Sequence, residues 1–114
     1  SWYFWHWSYN PDAIGQEEFE IYVRQLQKPG ALKAGFAHFA AVFADTEHFA
    51  KTSQTKLKMP VLALGGENGA GEFMLNGWQQ LAENVAGGSI KKAGHWIVDE
   101  QPAELTKQLL AFFA

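Results

Sequence analysis

The chain has 114 residues, a formal net charge of −3, no cysteine and 47% hydrophobic residues. This composition is typical of a globular domain that can bury a core, and it argues against disorder. The basic residues form no cluster, so nucleic-acid binding is not expected. No stretch approaches the roughly twenty apolar residues of a membrane span, no signal peptide is visible, and the lack of cysteine fits a reducing compartment. We therefore expect a cytoplasmic protein without a membrane span.

Residues 2–7 form an unbroken aromatic run, WYFWHW. Tryptophan and tyrosine favour membrane interfaces, but the run is short and lacks a basic face. The alternative is a short helix whose rings pack against neighbouring helices.

Two helices are predicted after this run. The first begins after a turn at residues 10–12 and ends at Pro29-Gly30, with Phe19, Val23 and Leu26 on one face. The second is predicted from an apolar stripe at spacings of four, three and four, comprising Leu32, Phe36, Phe39 and Phe43. The polar residues 52–58 then form a link, which places a domain boundary near residue 56.

The second half of the chain alternates strands and helices. Residues 59–66 (MPVLALGG) are apolar on both faces, as in a parallel strand covered by helices. A helix is predicted from Met74, Trp78, Leu81 and Val85, with Asn84 and Gly87-Gly88 as its end signals. A second short strand is predicted at residues 89–93, and a last helix begins at Pro102 with Leu105, Leu109 and Phe112 on one face.

His95 follows the second predicted strand, in Gly94-His95-Trp96. In a strand, helix, strand unit the loops after both strands lie at the same edge of the sheet. Histidine exchanges protons near neutral pH, so a loop histidine at that edge is a candidate general base. The alternative is a histidine that only caps or packs beside the turn.

These segments resemble the α/β-hydrolase superfamily. Residues 59–67 resemble its penultimate core strand, and residues 93–96 with 100–105 resemble its last strand, catalytic-histidine loop and final helix. The branch is that of epoxide hydrolases and haloalkane or haloacetate dehalogenases. Residues 8–14 and 29–36 of this sequence resemble the helical cap of that branch. The resemblance implies an α/β protein with a partial α/β-hydrolase fold. Residues 1–56 would be a helical cap segment, and residues 57–114 would be the C-terminal part of the core with its last two parallel strands and helices.

The resemblance also implies a chemistry. His95 would activate the water that hydrolyses a covalent ester formed with a small epoxide or haloorganic substrate, without a cofactor or metal. Neither a Gly-x-Asp-x-Gly nor a Gly-x-Ser-x-Gly nucleophile motif occurs in the sequence. We therefore expect the chain to be the C-terminal portion of a larger enzyme, inactive alone and stable only beside the missing N-terminal core segment or another copy. Two alternatives stay open: a serine-type esterase, and a non-catalytic remnant that binds an apolar ligand.

The resemblance suggests residues for the pocket. Cap tyrosines or tryptophans of this branch donate hydrogen bonds to an epoxide oxygen or a halide, which makes Tyr9, Trp5, His6 and Trp96 the candidate substrate-binding residues. The second cap tyrosine of epoxide hydrolases would fall near Phe39, which has no hydroxyl.

The sequence leaves open which carboxylate would orient His95. Many relatives carry an aspartate roughly where Gly69 stands, and Glu67 is the nearest carboxylate; Glu67 could instead cap a helix or point to solvent. Asp99 and Glu100 are interpreted as charges at the start of a helix. The histidines at positions 6, 38, 48 and 95 lack a metal-ligand spacing.

Overall fold

The computed structural model describes residues 2–114, which form seven helices and two strands. The helices are α1 (Trp2–Trp7), α2 (Gln16–Leu26), α3 (Ala31–Ala40), α4 (Val42–Thr52), α5 (Gly71–Leu81), α6 (Ile97–Glu100) and α7 (Pro102–Phe113), and the strands are β1 (Val61–Gly66) and β2 (Val85–Ile90). They form two compact units: residues 2–14 join Lys56–Ala114 in the first, and Gly15–Thr55 form the second. The assignment of residues 1–56 to a cap stays a prediction.

The first unit is built on a parallel pair of strands. β1 pairs with β2 in a register that runs from Val61 opposite Val85 to Gly66 opposite Ile90, which confirms the predicted parallel arrangement. The connecting helix α5 packs against both strands. The fully buried apolar side chains of the described residues are small apart from Ile90, and they are Ala63, Ala82, Ile90 and Ala93.

The predicted position of β2 was wrong. Helix α5 ends at Leu81 instead of continuing to Val85, and the strand begins at Val85 instead of Ser89. Gly87 and Gly88 are strand residues with φ of +127° and +134°, a conformation that side chains other than glycine rarely adopt. A Cβ at Gly87 would also overlap the backbone of Ala63 on β1. Gly87 therefore permits close pairing of the strands, and neither glycine ends the helix.

The second unit contains α2, α3 and α4. Helix α2 confirms the first predicted helix, with Phe19 and Val23 half-buried and Leu26 exposed. The apolar stripe after it is divided, because α3 ends at Ala40 and Phe43 lies on α4. All four stripe residues are at least 55% exposed. The spacing therefore predicted the helical structure and not burial.

The last helix begins at Pro102, as predicted, and Leu105 and Phe112 are half-buried. Within residues 2–114, each helix is too short or too polar to cross a bilayer.

Candidate active site

His95 lies on the loop that follows β2. The preceding residues Ala93 and Gly94 are buried, whereas the His95 side chain is exposed. The loop after β1 lies against this segment, because the Asn68 N–H donates to the Ala93 carbonyl oxygen over 2.9 Å. The loops at the carboxyl ends of both strands therefore meet at His95, as expected for a parallel pair.

Helix α1 packs on the same loop. The His95 N–H donates to the Trp7 carbonyl oxygen over 2.8 Å, and the ring centroids of Trp7 and His95 are 6.4 Å apart. The Trp96 ring lies 5.6 Å from that of Tyr3 and 4.6 Å from that of Phe4. Tyr3 and Phe4 lie on the same helix face as Trp7 because they are four and three residues before it.

The four candidate pocket residues have different surroundings. Trp5 is 61% exposed, and the His6 ring stacks on Trp2 at 4.7 Å. Tyr9 follows α1 and is partly exposed. The Trp96 indole N–H is buried and has no hydrogen-bond partner within residues 2–114. The substrate-binding role of these four residues stays a prediction.

Glu100 lies in the first turn of the short helix α6, in agreement with the sequence-based interpretation, and its carboxylate has a further role. Its carboxylate accepts three backbone hydrogen bonds, from Tyr9 (2.5 Å), Asn10 (2.8 Å) and Gly94 (2.6 Å). Two of these donors lie about ninety residues away in the chain. Sequence spacing contains no signal for such a contact, so these three hydrogen bonds were not predicted from the sequence.

Two positions bear on the acid that would orient His95. The Glu67 carboxylate accepts a hydrogen bond from the Lys92 N–H over 3.1 Å, and within residues 2–114 no hydrogen bond joins it to His95. A Cβ at Gly69 would lie 3.2 Å from the Gly94 carbonyl group and 3.5 Å from the His95 nitrogen. The Gly69 position therefore faces the His95 loop. Glu67 as the catalytic acid stays a prediction.

No group of three histidine, aspartate or glutamate side chains among residues 2–114 is arranged to hold a metal ion.

The chain was compared with known protein families, sequences and solved structures. No family profile matches the chain. The chain is 36% identical over 109 residues to a soluble epoxide hydrolase of Corynebacterium sp. (strain C12). The matched region covers 95% of this chain and 37% of that protein. Among solved structures, Cfl2 of Burkholderia cenocepacia superposes with a TM-score of 0.90 at 32% identity, covering 99% of this chain and 39% of Cfl2. The epoxide hydrolase CorEH superposes with a TM-score of 0.88 at 35% identity, covering 94% of this chain and 38% of CorEH.

The solved structures that this chain matches are α/β-hydrolases. The chain is homologous to the C-terminal part of a soluble epoxide hydrolase. Its two parallel strands with their helices form part of the α/β-hydrolase fold, and the chain spans about two fifths of the length of the relatives it matches. The sequence-based prediction of fold and superfamily is therefore confirmed.

Proposed function

We propose that the polypeptide containing this chain is an α/β-hydrolase of the epoxide hydrolase type, with His95 as its general base. The observation that supports this most is the placement of His95. Its imidazole is exposed at the carboxyl end of a parallel strand pair, on a loop whose preceding residues are buried. The homology to a soluble epoxide hydrolase over 95% of the chain favours an epoxide as substrate.

The proposed reaction has two steps. A carboxylate oxygen of an aspartate outside this chain attacks an epoxide carbon, the carbon–oxygen bond of the ring breaks, and the ring oxygen takes a proton from water to become a hydroxyl, which leaves a hydroxide ion. His95 then takes a proton from water, and the resulting hydroxide attacks the ester carbonyl carbon. Cleavage of the ester bond releases the diol and returns the aspartate carboxylate, and the protonated His95 gives its proton to the hydroxide ion left by the first step, which restores the base. With a haloorganic substrate, halide would leave in the first step.

The test is the substitution His95→Gln in the full polypeptide expressed from the gene. Base assistance contributes about 10²–10⁴-fold to a rate, so turnover should fall by that factor. The first step needs no base when the nucleophile is aspartate, and intact-mass spectrometry after exposure to styrene oxide should detect a covalent adduct.

The same experiment separates the alternatives. With a serine nucleophile the base is needed for attack as well, so activity would fall and no adduct would accumulate. Unchanged turnover in His95→Gln would contradict both enzymatic proposals. Folding should be nearly intact in each case because the His95 side chain is exposed.

A further inference from the structure

We propose that Glu100 is a positioning residue for His95. Its carboxylate joins two segments that are far apart in the chain. One carboxylate oxygen, Oε1, accepts from the Tyr9 and Asn10 N–H groups, and the other, Oε2, accepts from the Gly94 N–H. Gly94 directly precedes His95, so the carboxylate fixes the backbone from which the base projects.

A second connection lies beside the first. The His95 N–H donates to the Trp7 carbonyl oxygen, so the backbone from Trp7 to Asn10 holds two successive N–H groups of the loop, one directly and one through Glu100. The His95 imidazole forms no hydrogen bond with another of residues 2–114. Within this part of the chain, the fold therefore sets the place of the ring through the backbone.

The chemistry of the acceptor makes a carboxylate necessary. A carboxylate offers two oxygens with two lone pairs each, and three N–H donors occupy both of them. A glutamine of the same shape has one oxygen, and its NH₂ group would face an N–H donor. Glu100→Gln must therefore lose the link on one side, either to Gly94 or to Tyr9 and Asn10.

The kinetic consequence rests on the proposed function. A displaced base slows hydrolysis of the ester and leaves its formation unchanged. The ester then accumulates, so kcat and KM fall together while kcat/KM stays within about twofold. A displacement of about 1 Å can cost up to 10²-fold, and we expect kcat of Glu100→Gln to fall about 10- to 100-fold. A merely structural defect would reduce the active fraction and lower kcat at unchanged KM.

A second readout does not depend on activity. In Glu100→Gln, hydrogen exchange at the N–H groups of Tyr9, Asn10 and Gly94 should accelerate about tenfold or more on at least one side of the link. The His95 ring resonances should also shift, since the ring lies near the Trp7 and Trp96 rings, at 6.4 and 4.8 Å. These NMR measurements test Glu100 even if no epoxide is hydrolysed.

The matched control is Glu72→Gln. The Glu72 carboxylate also accepts a backbone hydrogen bond, from the Ser89 N–H over 2.9 Å, but it has none with the His95 loop among the described residues. The Glu72→Gln substitution should leave the His95 resonances and the kinetic constants unchanged. If Glu100→Gln does not fold, Glu100→Asp keeps both oxygens on a shorter side chain, and it should show a smaller fall of kcat and KM together. The proposal is overturned if the Glu100 variant leaves exchange and the His95 ring unchanged, if only kcat falls, or if Glu72→Gln has the same effects.

Discussion

Replacing Gly94 with alanine would test the contact between the residues after α1 and the His95 loop. An added Cβ would lie 2.8 Å from the Tyr9 nitrogen and 3.0 Å from the Ser8 carbonyl carbon, and it would overlap the Trp7 carbonyl oxygen. Because these atoms belong to the backbone, no side-chain rotation can relieve the overlap. The Tyr9 nitrogen must move by about 0.6 Å to restore an ordinary contact of 3.4 Å.

The expected loss of stability follows from these contacts. Overpacking costs about 1–3 kcal/mol. The movement also weakens the bond from the His95 N–H to Trp7 or the bonds to Glu100, at about 1 kcal/mol for each bond lost. The added methyl group restricts the unfolded chain, which offsets about 0.4–1 kcal/mol. We therefore expect Gly94→Ala to lower the free energy of unfolding by about 1–4 kcal/mol.

Equilibrium urea unfolding of the full polypeptide measures this difference, and Gly77→Ala is the matched control. Gly77 lies on the exposed side of α5, and an added Cβ would have no neighbour within 4 Å. The control should raise the free energy of unfolding by about 0.4–1 kcal/mol, opposite in sign to the change at Gly94. If Gly94→Ala is as stable as the parent protein, the backbone of residues 7–9 does not lie against the His95 loop and the reasoning fails.

Two further predictions concern stability. Residues 1–114 alone should associate or unfold without cooperativity, because the chain exposes 8667 Å² where a folded 12.7 kDa monomer exposes about 6200 Å²; size exclusion and circular dichroism test this, and a cooperative monomer would contradict it. The hydrogen bond from Gln108 holds the pKa of Glu104 below its usual range. This stabilisation is present above the unfolded pKa and is lost as the pH falls through the folded pKa. In Gln108→Ala the pKa of Glu104 should rise, and an NMR titration that finds it unchanged would reject the hydrogen bond as the cause.

Local signals in the sequence were enough for much of the fold. Pro102 and the apolar spacing after it predicted α7, and Pro29-Gly30 marked the break after α2. The boundary between α3 and α4 was missed because Ala41 is a good helix former and the apolar spacing continues across it.

The wrong position of β2 and the unpredicted hydrogen bonds of Glu100 have a common physical origin. Gly87 was interpreted as a helix end because glycine is a local breaker, but its role is set by the backbone of Ala63, twenty-four residues earlier. Likewise, the donors to Glu100 include Tyr9 and Asn10, and only the folded chain brings them together. The spacing of residues reports local conformation, whereas these two roles depend on long-range backbone contacts.

The backbone contacts of the His95 loop determine which substitutions at the proposed site should change stability and which should change only the chemistry. The His95 side chain is exposed, so its replacement should cost little folding energy while removing the proposed base. Gly94 packs against the backbone of residues 7–9, and the Glu100 carboxylate accepts a hydrogen bond from the Gly94 N–H. Replacement of either residue should therefore affect both the stability of the protein and the position of the base. The buried side chains of this unit are few and mostly alanine, which leaves much of the placement of His95 to backbone hydrogen bonds. A variant of Gly94 or Glu100 should therefore lose activity in proportion to how far the loop moves, and His95→Gln should lose activity without any movement of the loop.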